Sequence, residues 1–233
     1  MQNNLTTVKT AEEIAKIRKA AEIIDDVFDY ILGELKEGVT EVEIADKIRA
    51  KVIELGGTDV SFDTIVAFGA GGCEPHHVPT DATLKWGDLV TIDMGAIYDG
   101  YCSDFTRTMA FGEISDEQRK VYEIVLKAYK LGMKGVKAGE SCKAVDALTR
   151  DYIALCGYGD NYIHGTGHGV GTEIHEKPTV NPRSDEVLKD GEVITIEPGI
   201  YLQDRMGVRI ENMIIVGTTE PMSRQTVELI TIK

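Results

Sequence analysis

Two apolar runs in this chain each carry a carboxylate where a buried strand should have none. GDLVTIDMG at 87–95 and GEVITIEPG at 191–199 match at a constant spacing of 104 residues, with Asp93 in the first and Glu197 in the second. An acid inside a strand that is apolar on both faces must be paired, neutralised or bound to a cation. The repeat therefore constrains fold and chemistry together. Lys36-Glu37-Gly38 and Lys137-Ala138-Gly139 stand in the same way ahead of two helical segments, 101 residues apart. Chance likeness of two buried strands would leave the repeated acid unexplained. The sequence describes an internal duplication: one α+β domain over 1–233, with pseudo-symmetric halves of roughly 10–112 and 113–233 folded around one antiparallel sheet.

Local patterns agree. Thr10 with Glu13, and Thr40 with Glu43, are capping boxes. Ile14, Ile17, Ala21, Ile24, Phe28, Ile31 and Leu35 follow the first at helical spacing; Ile44, Ile48 and Val52 follow the second until Gly56-Gly57. Residues 59–68 and 89–111 are rich in strand formers, with Asp99-Gly100 as a two-residue hairpin turn. Ser115 with Gln118 then caps a long helix, another spans about Ser141 to Cys156, and 192–232 returns to strand composition. Helix, helix, strands occurs twice.

Counting outward from Asp99-Gly100 pairs Tyr98 with Tyr101 and Asp93 with Thr106, which leaves Asp104 as a diagonal neighbour on the same face. In the second half Glu197 and Glu211 are equidistant from Asp204, so a turn centred there sets them opposite one another. Two hairpins thus present four carboxylates, a charge that two divalent cations balance. All five histidines fall in EPHHVPT at 74–80 and IHGTGHGVGTEIHE at 163–176. Gly165, Gly167, Gly169 and Gly171 argue against a helix in the second segment. In an extended chain rising roughly 3.3 Å per residue, His164 and His168 lie about 13 Å apart, too far to share one metal. The glycines leave room for another backbone or a substrate.

Composition narrows the partners. A formal charge of −14 and a pI near 4.8, with no basic stripe, disfavour nucleic acid and anionic membrane. No apolar run approaches a membrane span, and MQNNLTTVKT lacks the features of a leader, so the expected location is cytoplasmic. Cys73, Cys102, Cys142 and Cys156 show no CxxC spacing and are expected to be reduced thiols.

EPHHVPT, TIDMGA, Asp104 in SDFTRT, HGTGHGVGTEIHEKP, TIEPGIY and GVRIEN, in that order along essentially the whole chain, resemble the pita-bread metallopeptidases. That family includes Xaa-Pro aminopeptidase, Xaa-Pro dipeptidase (prolidase) and methionine aminopeptidase. The resemblance implies a pita-bread fold, helices covering a curved antiparallel sheet, and two divalent metal ions held by Asp93, Asp104, His168, Glu197 and Glu211. Manganese or cobalt suits such an oxygen-rich set with one imidazole; zinc and ferrous iron fit as well. It further implies a proton-shuttling role for Glu197, with His175 and His76 as catalytic groups in the substrate cleft. His164 and Arg209 belong to the Xaa-Pro branch as substrate-binding residues, Arg209 being equally placed to hold a ligand from behind. His77 is expected to be exposed or structural, and Tyr98, Tyr101 and Tyr201 to be plain core.

The implied activity is dimetal-dependent hydrolysis of the bond between an N-terminal residue and proline in small peptides. Dipeptidase and aminopeptidase remain alternatives. A methionine aminopeptidase, or a non-catalytic peptide-binding protein on the same fold, are the rivals. All five ligand positions are kept, which argues against the latter, while His164, the GVRIEN arginine and GCEPHH argue against the former. The N-terminal domain common in the Xaa-Pro branch is not expected here, and a homodimer is left open.

Overall fold

The computed structural model describes residues 7–233; residues 1–6, on which much of the leader reading rests, lie outside them. Three helices open on their capping boxes. Thr10 Oγ1 accepts the Glu13 amide at 3.3 Å and Glu13 accepts the Thr10 amide at 2.7 Å, starting α1 (Ala11–Leu32). The Thr40/Glu43 box starts α2 (Glu41–Glu54), and Ser115/Gln118 starts α3 (Asp116–Gly135). α4 (Cys142–Leu155) begins at Ser141 without a side-chain cap. Between α2 and α3 lie β1 (Asp59–Val60), β2 (Ile65–Phe68), β3 (Leu89–Met94), β4 (Ala96–Tyr98), β5 (Tyr101–Cys102) and β6 (Phe105–Phe111). After α4 come β7 (Gly167–Gly169), β8 (Glu176–Val180), β9 (Val193–Ile196), β10 (Gly199–Leu202), β11 (Met206–Arg209), β12 (Asn212–Ile215) and β13 (Thr231–Ile232).

The hairpin registers follow the turn arithmetic. Tyr98 pairs with Tyr101 and Asp93 with Thr106, around Asp99 and Gly100 at φ 47° and 79°, the positive pair that a tight hairpin turn demands. Gly199 pairs with Arg209 and Ile196 with Asn212 around Asp204, whose φ is 57°. Glu197 and Glu211 thus stand opposite in register, in the gap between those two ladders.

The continuous sheet expected from the sequence is broken there. β2–β3–β6 form one antiparallel set, to which β13 adds in parallel; β8–β7–β9–β12 form the other, with β10–β11 a separate hairpin and β1–β4–β5 a small third set. The breaks fall at Gly95, Asp104, Glu197-Pro198 and Ile210-Glu211. Pro198 has no N–H to give a ladder. Across the break the Glu211 amide donates to Thr106 O at 3.1 Å, and Thr108 Oγ1 donates to Arg209 O at 3.0 Å, joining the halves.

The repeat persists in the backbone. Gly38 and Gly139 both have φ 87°, and donate to Leu84 O at 2.9 Å and Leu188 O at 2.8 Å. The halves nevertheless exchange termini: Val8 bridges Glu192, and β13 runs beside β6. In the first half Phe28, Ile44 and Ile48 pack on Val66, Val90 and Ile92; in the second Val125, Val145 and Ile153 pack with Ile194, Ile196 and Ile214. Each such buried side chain contributes about 1.5–3 kcal/mol. With Val90 and Ile92 committed to the helices, strand alternation turns Asp93 to the opposite side. Among the described residues no helix is long and apolar enough to cross a membrane.

Candidate metal centre

A cleft of about 770 Å³ opens between the halves, and all five acid and imidazole positions singled out above line it. Asp93 comes from β3, Asp104 from the break between β5 and β6, His168 from β7, Glu197 from the break after β9, and Glu211 from the break after β11. His168 Nε2 lies 3.4 Å from Asp104 Oδ2 and 3.5 Å from Glu197 Oε1. Asp104, His168 and Glu211 offer ligand atoms all within 4.8 Å of one another, a potential metal site.

Few donors balance these acids. Arg209 Nη2 donates to Asp93 Oδ2 at 2.7 Å, Thr106 Oγ1 donates to Glu211 Oε2 at 2.6 Å, and Thr195 Oγ1 reaches Glu197 Oε1 at 3.4 Å. Asp93 Oδ1 is buried with no partner. Burial, then the nearby charges of Glu211, Asp93 and Glu197, holds the Asp104 carboxyl well above the ordinary range. Burial with Glu197 and Asp93 does the same to Glu211, and burial first, with Asp93 adding, pushes Glu197 up to about 8. Burial also lowers the pKa of His168, whose Nδ1 lies 3.0 Å from Gly169 O. A neutral ring that donates from Nδ1 presents a bare lone pair at Nε2, facing two carboxyl oxygens. An acceptor set of this kind, with an orphaned oxygen, fits a divalent cation in place of the protons.

The glycines of the second histidine segment serve close backbone packing. A Cβ on Gly167 would meet Thr195 O at 1.9 Å, and one on Gly169 would meet Lys177 O at 2.2 Å. Before β8 begins at Glu176, only Gly167–Gly169 of this segment is strand, with a register shift at His168/Gly169. The straight extended segment of the sequence reading is corrected: the chain bends at His164 and Thr166, and His164 Nδ1 comes within 3.9 Å of Glu197 Oε2. The bend is held by Arg150, which donates to Tyr162 O at 3.0 Å and His164 O at 2.7 Å. His164 Nε2 lies 2.8 Å from the Tyr201 hydroxyl and Nδ1 2.7 Å from Gly165 O; burial and then Arg209 push its pKa down to about 3.

His175 is an exposed residue that lines the cleft, its ring centroid 4.4 Å from that of His168; partial desolvation of the ring, with His168 and His76, lowers its pKa. His76 is exposed on the wall, whereas the partly buried His77 places Nε2 2.9 Å from Glu41 Oε2, the structural of its two expected positions. Arg209 borders the cleft but is 3% exposed, and its guanidinium is engaged by Asp93, by the Tyr201 hydroxyl at 2.9 Å and by Thr106 Oγ1 at 3.2 Å. That geometry holds an acid from behind. Tyr201 is more than core, since its hydroxyl links Arg209 to His164; Tyr98 and Tyr101 lie outside the cleft lining. Thr106, Asp146 and Glu41 had no signal of their own in the sequence, because each acts through a partner far along the chain. All four cysteines are free, and burial pushes the Cys102 and Cys142 thiols up to about 11, leaving them as unreactive thiols.

The chain belongs to metallopeptidase family M24, whose model matches residues 15–218, and has that family's pita-bread fold. It is 45% identical over 213 residues to an Xaa-Pro dipeptidase of Pyrococcus furiosus, covering 91% of this chain and 61% of that protein. Among solved structures it is similar to an Xaa-Pro dipeptidase from Bacillus anthracis, at TM-score 0.95 and 46% identity over 97% of this chain and 64% of that one. It is also similar to an X-Pro aminopeptidase from Thermotoga maritima, at TM-score 0.94 and 38% identity over 97% and 64% of the two chains. The chain spans about 60% of the length of the curated relatives it matches.

Proposed function

We propose that this chain is the catalytic unit of an Xaa-Pro peptidase, its duplicated halves of roughly 10–112 and 113–233 forming one site, and that it cleaves small peptides after an N-terminal residue followed by proline. The single observation carrying the reading is the convergence of Asp93, Asp104, His168, Glu197 and Glu211, from two strands and three breaks between strands, onto one cleft that His76, His164 and His175 also line. The names of the relatives above support the Xaa-Pro assignment.

Those five residues would hold two divalent ions, manganese or cobalt suiting them best. When bound, the ions supply Lewis acidity that lowers the pKa of a water and neutralises four carboxylates. The remaining chemistry falls to the chain. Glu197, ionised once cations stand in for the proton that burial and Asp93 favour there, would take the proton of the attacking water and return it to the leaving proline nitrogen. His175 and His76 donate to the oxygen that gains charge as the carbonyl is attacked. Arg209 fixes Asp93 through a bond of 2.7 Å, and Tyr201 carries that order on to His164. The cleft volume exceeds what a dipeptide fills, so short peptides as well as dipeptides are candidate substrates.

The test is hydrolysis of Ala-Pro, Ala-Pro-Ala and Met-Ala-Ser side by side with added manganese. Cleavage of the first two ahead of the third supports the reading. Preference for Met-Ala-Ser would reassign the chain to methionine aminopeptidase activity, and hydrolysis of none would leave a binding protein.

A further inference from the structure

Glu41, the first residue of α2, is fully buried, and no step above uses it. Its carboxylate lies beneath the segment 68–80 that carries His76 to the cleft wall. The Phe68 amide donates to Oε1 at 2.8 Å; the Thr80 amide and hydroxyl donate to Oε2 at 2.9 and 2.7 Å; His77 Nε2 lies 2.9 Å from Oε2. Among the described residues no Lys or Arg forms an ion pair with Glu41. The demand of this buried acid is therefore met by one segment, gripped at its start, middle and end. Gly71 packs down on the same grip: a Cβ there would meet His77 Cε1 at 3.0 Å and Glu41 Oε1 at 3.3 Å.

The second half has a matching device. Asp146, buried on α4, accepts the Thr166 amide at 3.1 Å and hydroxyl at 2.8 Å, and Arg150, paired with it at 2.7 Å, holds the His164 carbonyl. A helix behind each wall thus fastens one histidine-bearing segment through a buried acid.

We infer that Glu41 is a positioning residue that sets where His76 meets the substrate, by anchoring its neighbour His77 and both ends of the segment. The inference rests on the proposed function only in taking the partner of His76 to be a peptide. Glu41→Gln keeps the shape but turns an amide NH₂ toward groups that themselves donate. For Ala-Pro hydrolysis Glu41→Gln should lower kcat about tenfold, with KM changed less than about twofold and bound metal unchanged, since small misplacements of a reacting group are costly. In a His76→Ala background the same change should cost nothing further, because the two act on one event. Additive losses, or unchanged kcat in Glu41→Gln, would overturn the inference.

Ring proton–carbon NMR signals of the zinc-loaded protein read the same point without turnover, so failure of the peptidase reading stays distinguishable. His76 signals should move in Glu41→Gln while those of His175 hold; unmoved His76 signals would overturn the inference. Should Glu41→Gln fail to fold, Thr80→Val removes one hydroxyl arm alone. It should move the His76 signals the same way by less, and no movement again counts against the anchor.

Discussion

Arg209 is the cation bonded to Asp93 at the floor of the cleft, and Arg209→Met removes it while keeping most of its length. The side chain is 3% exposed, with Nη2 at 2.7 Å from Asp93 Oδ2 and further bonds to Tyr201 and Thr106. Losing one partner of a buried ion pair leaves an uncompensated charge and costs about 3–5 kcal/mol. For a chain of this size each kcal/mol moves the melting temperature by about 2–4 °C, so the metal-free variant should melt about 6–20 °C lower. Cations at Asp93 would replace the missing charge, leaving mainly the loss of neutral hydrogen bonding, about 1–2 kcal/mol. With saturating manganese the difference should therefore shrink to about 2–8 °C. Calorimetric melts of both proteins, chelated and loaded, give the comparison. Equal differences in the two conditions would refute the idea that Arg209 and metal share the neutralisation of Asp93.

Burial and mutual repulsion raise the folded pKa of Asp104, Glu197 and Glu211, so the metal-free protein holds protons that the unfolded chain releases. Its stability should fall as pH rises from about 5 through 8, the reverse of the usual carboxylate behaviour, while the manganese-induced rise in melting temperature should grow; a flat metal-free profile would count against this. Asp104→Ala and Glu211→Ala should lose metal and activity together, whereas His175→Ala should keep its metal and slow turnover by about 10²-fold, with elemental analysis separating the two outcomes. Proline presents a tertiary amide with no N–H, so a cleft suited to it leaves the N–H of other peptides unpaired at roughly 1–3 kcal/mol. Ala-Pro-Ala should accordingly be cleaved about ten- to a hundredfold faster than Ala-Ala-Ala, and equal rates would refute the proline preference.

Much of the fold is legible in the sequence because its signals are local. The capping boxes at Thr10, Thr40 and Ser115, the Asp99-Gly100 turn and the repeated apolar runs each specify their neighbourhood within a few residues. Since side chains alternate strictly along a strand, one turn position was enough to place Asp93 against Thr106 and Glu197 against Glu211. The bend that brings His164 to Glu197 was not legible, because it is held by Arg150 on a helix rather than by its own residues. Nor was the division of the sheet, which follows from where the acids leave the ladder.

The chain alone therefore determined the repeated strand motif, the four helices and the register of each hairpin. Tertiary structure decided how the two hairpins face one another. It also decided that Arg209 is occupied by Asp93 and Tyr201, that Tyr201 reaches His164, and that Glu41 and Asp146 secure the histidine segments. Those contacts join residues that are distant in sequence, and a buried polar group selects its partners only when packing has excluded water and left it no other.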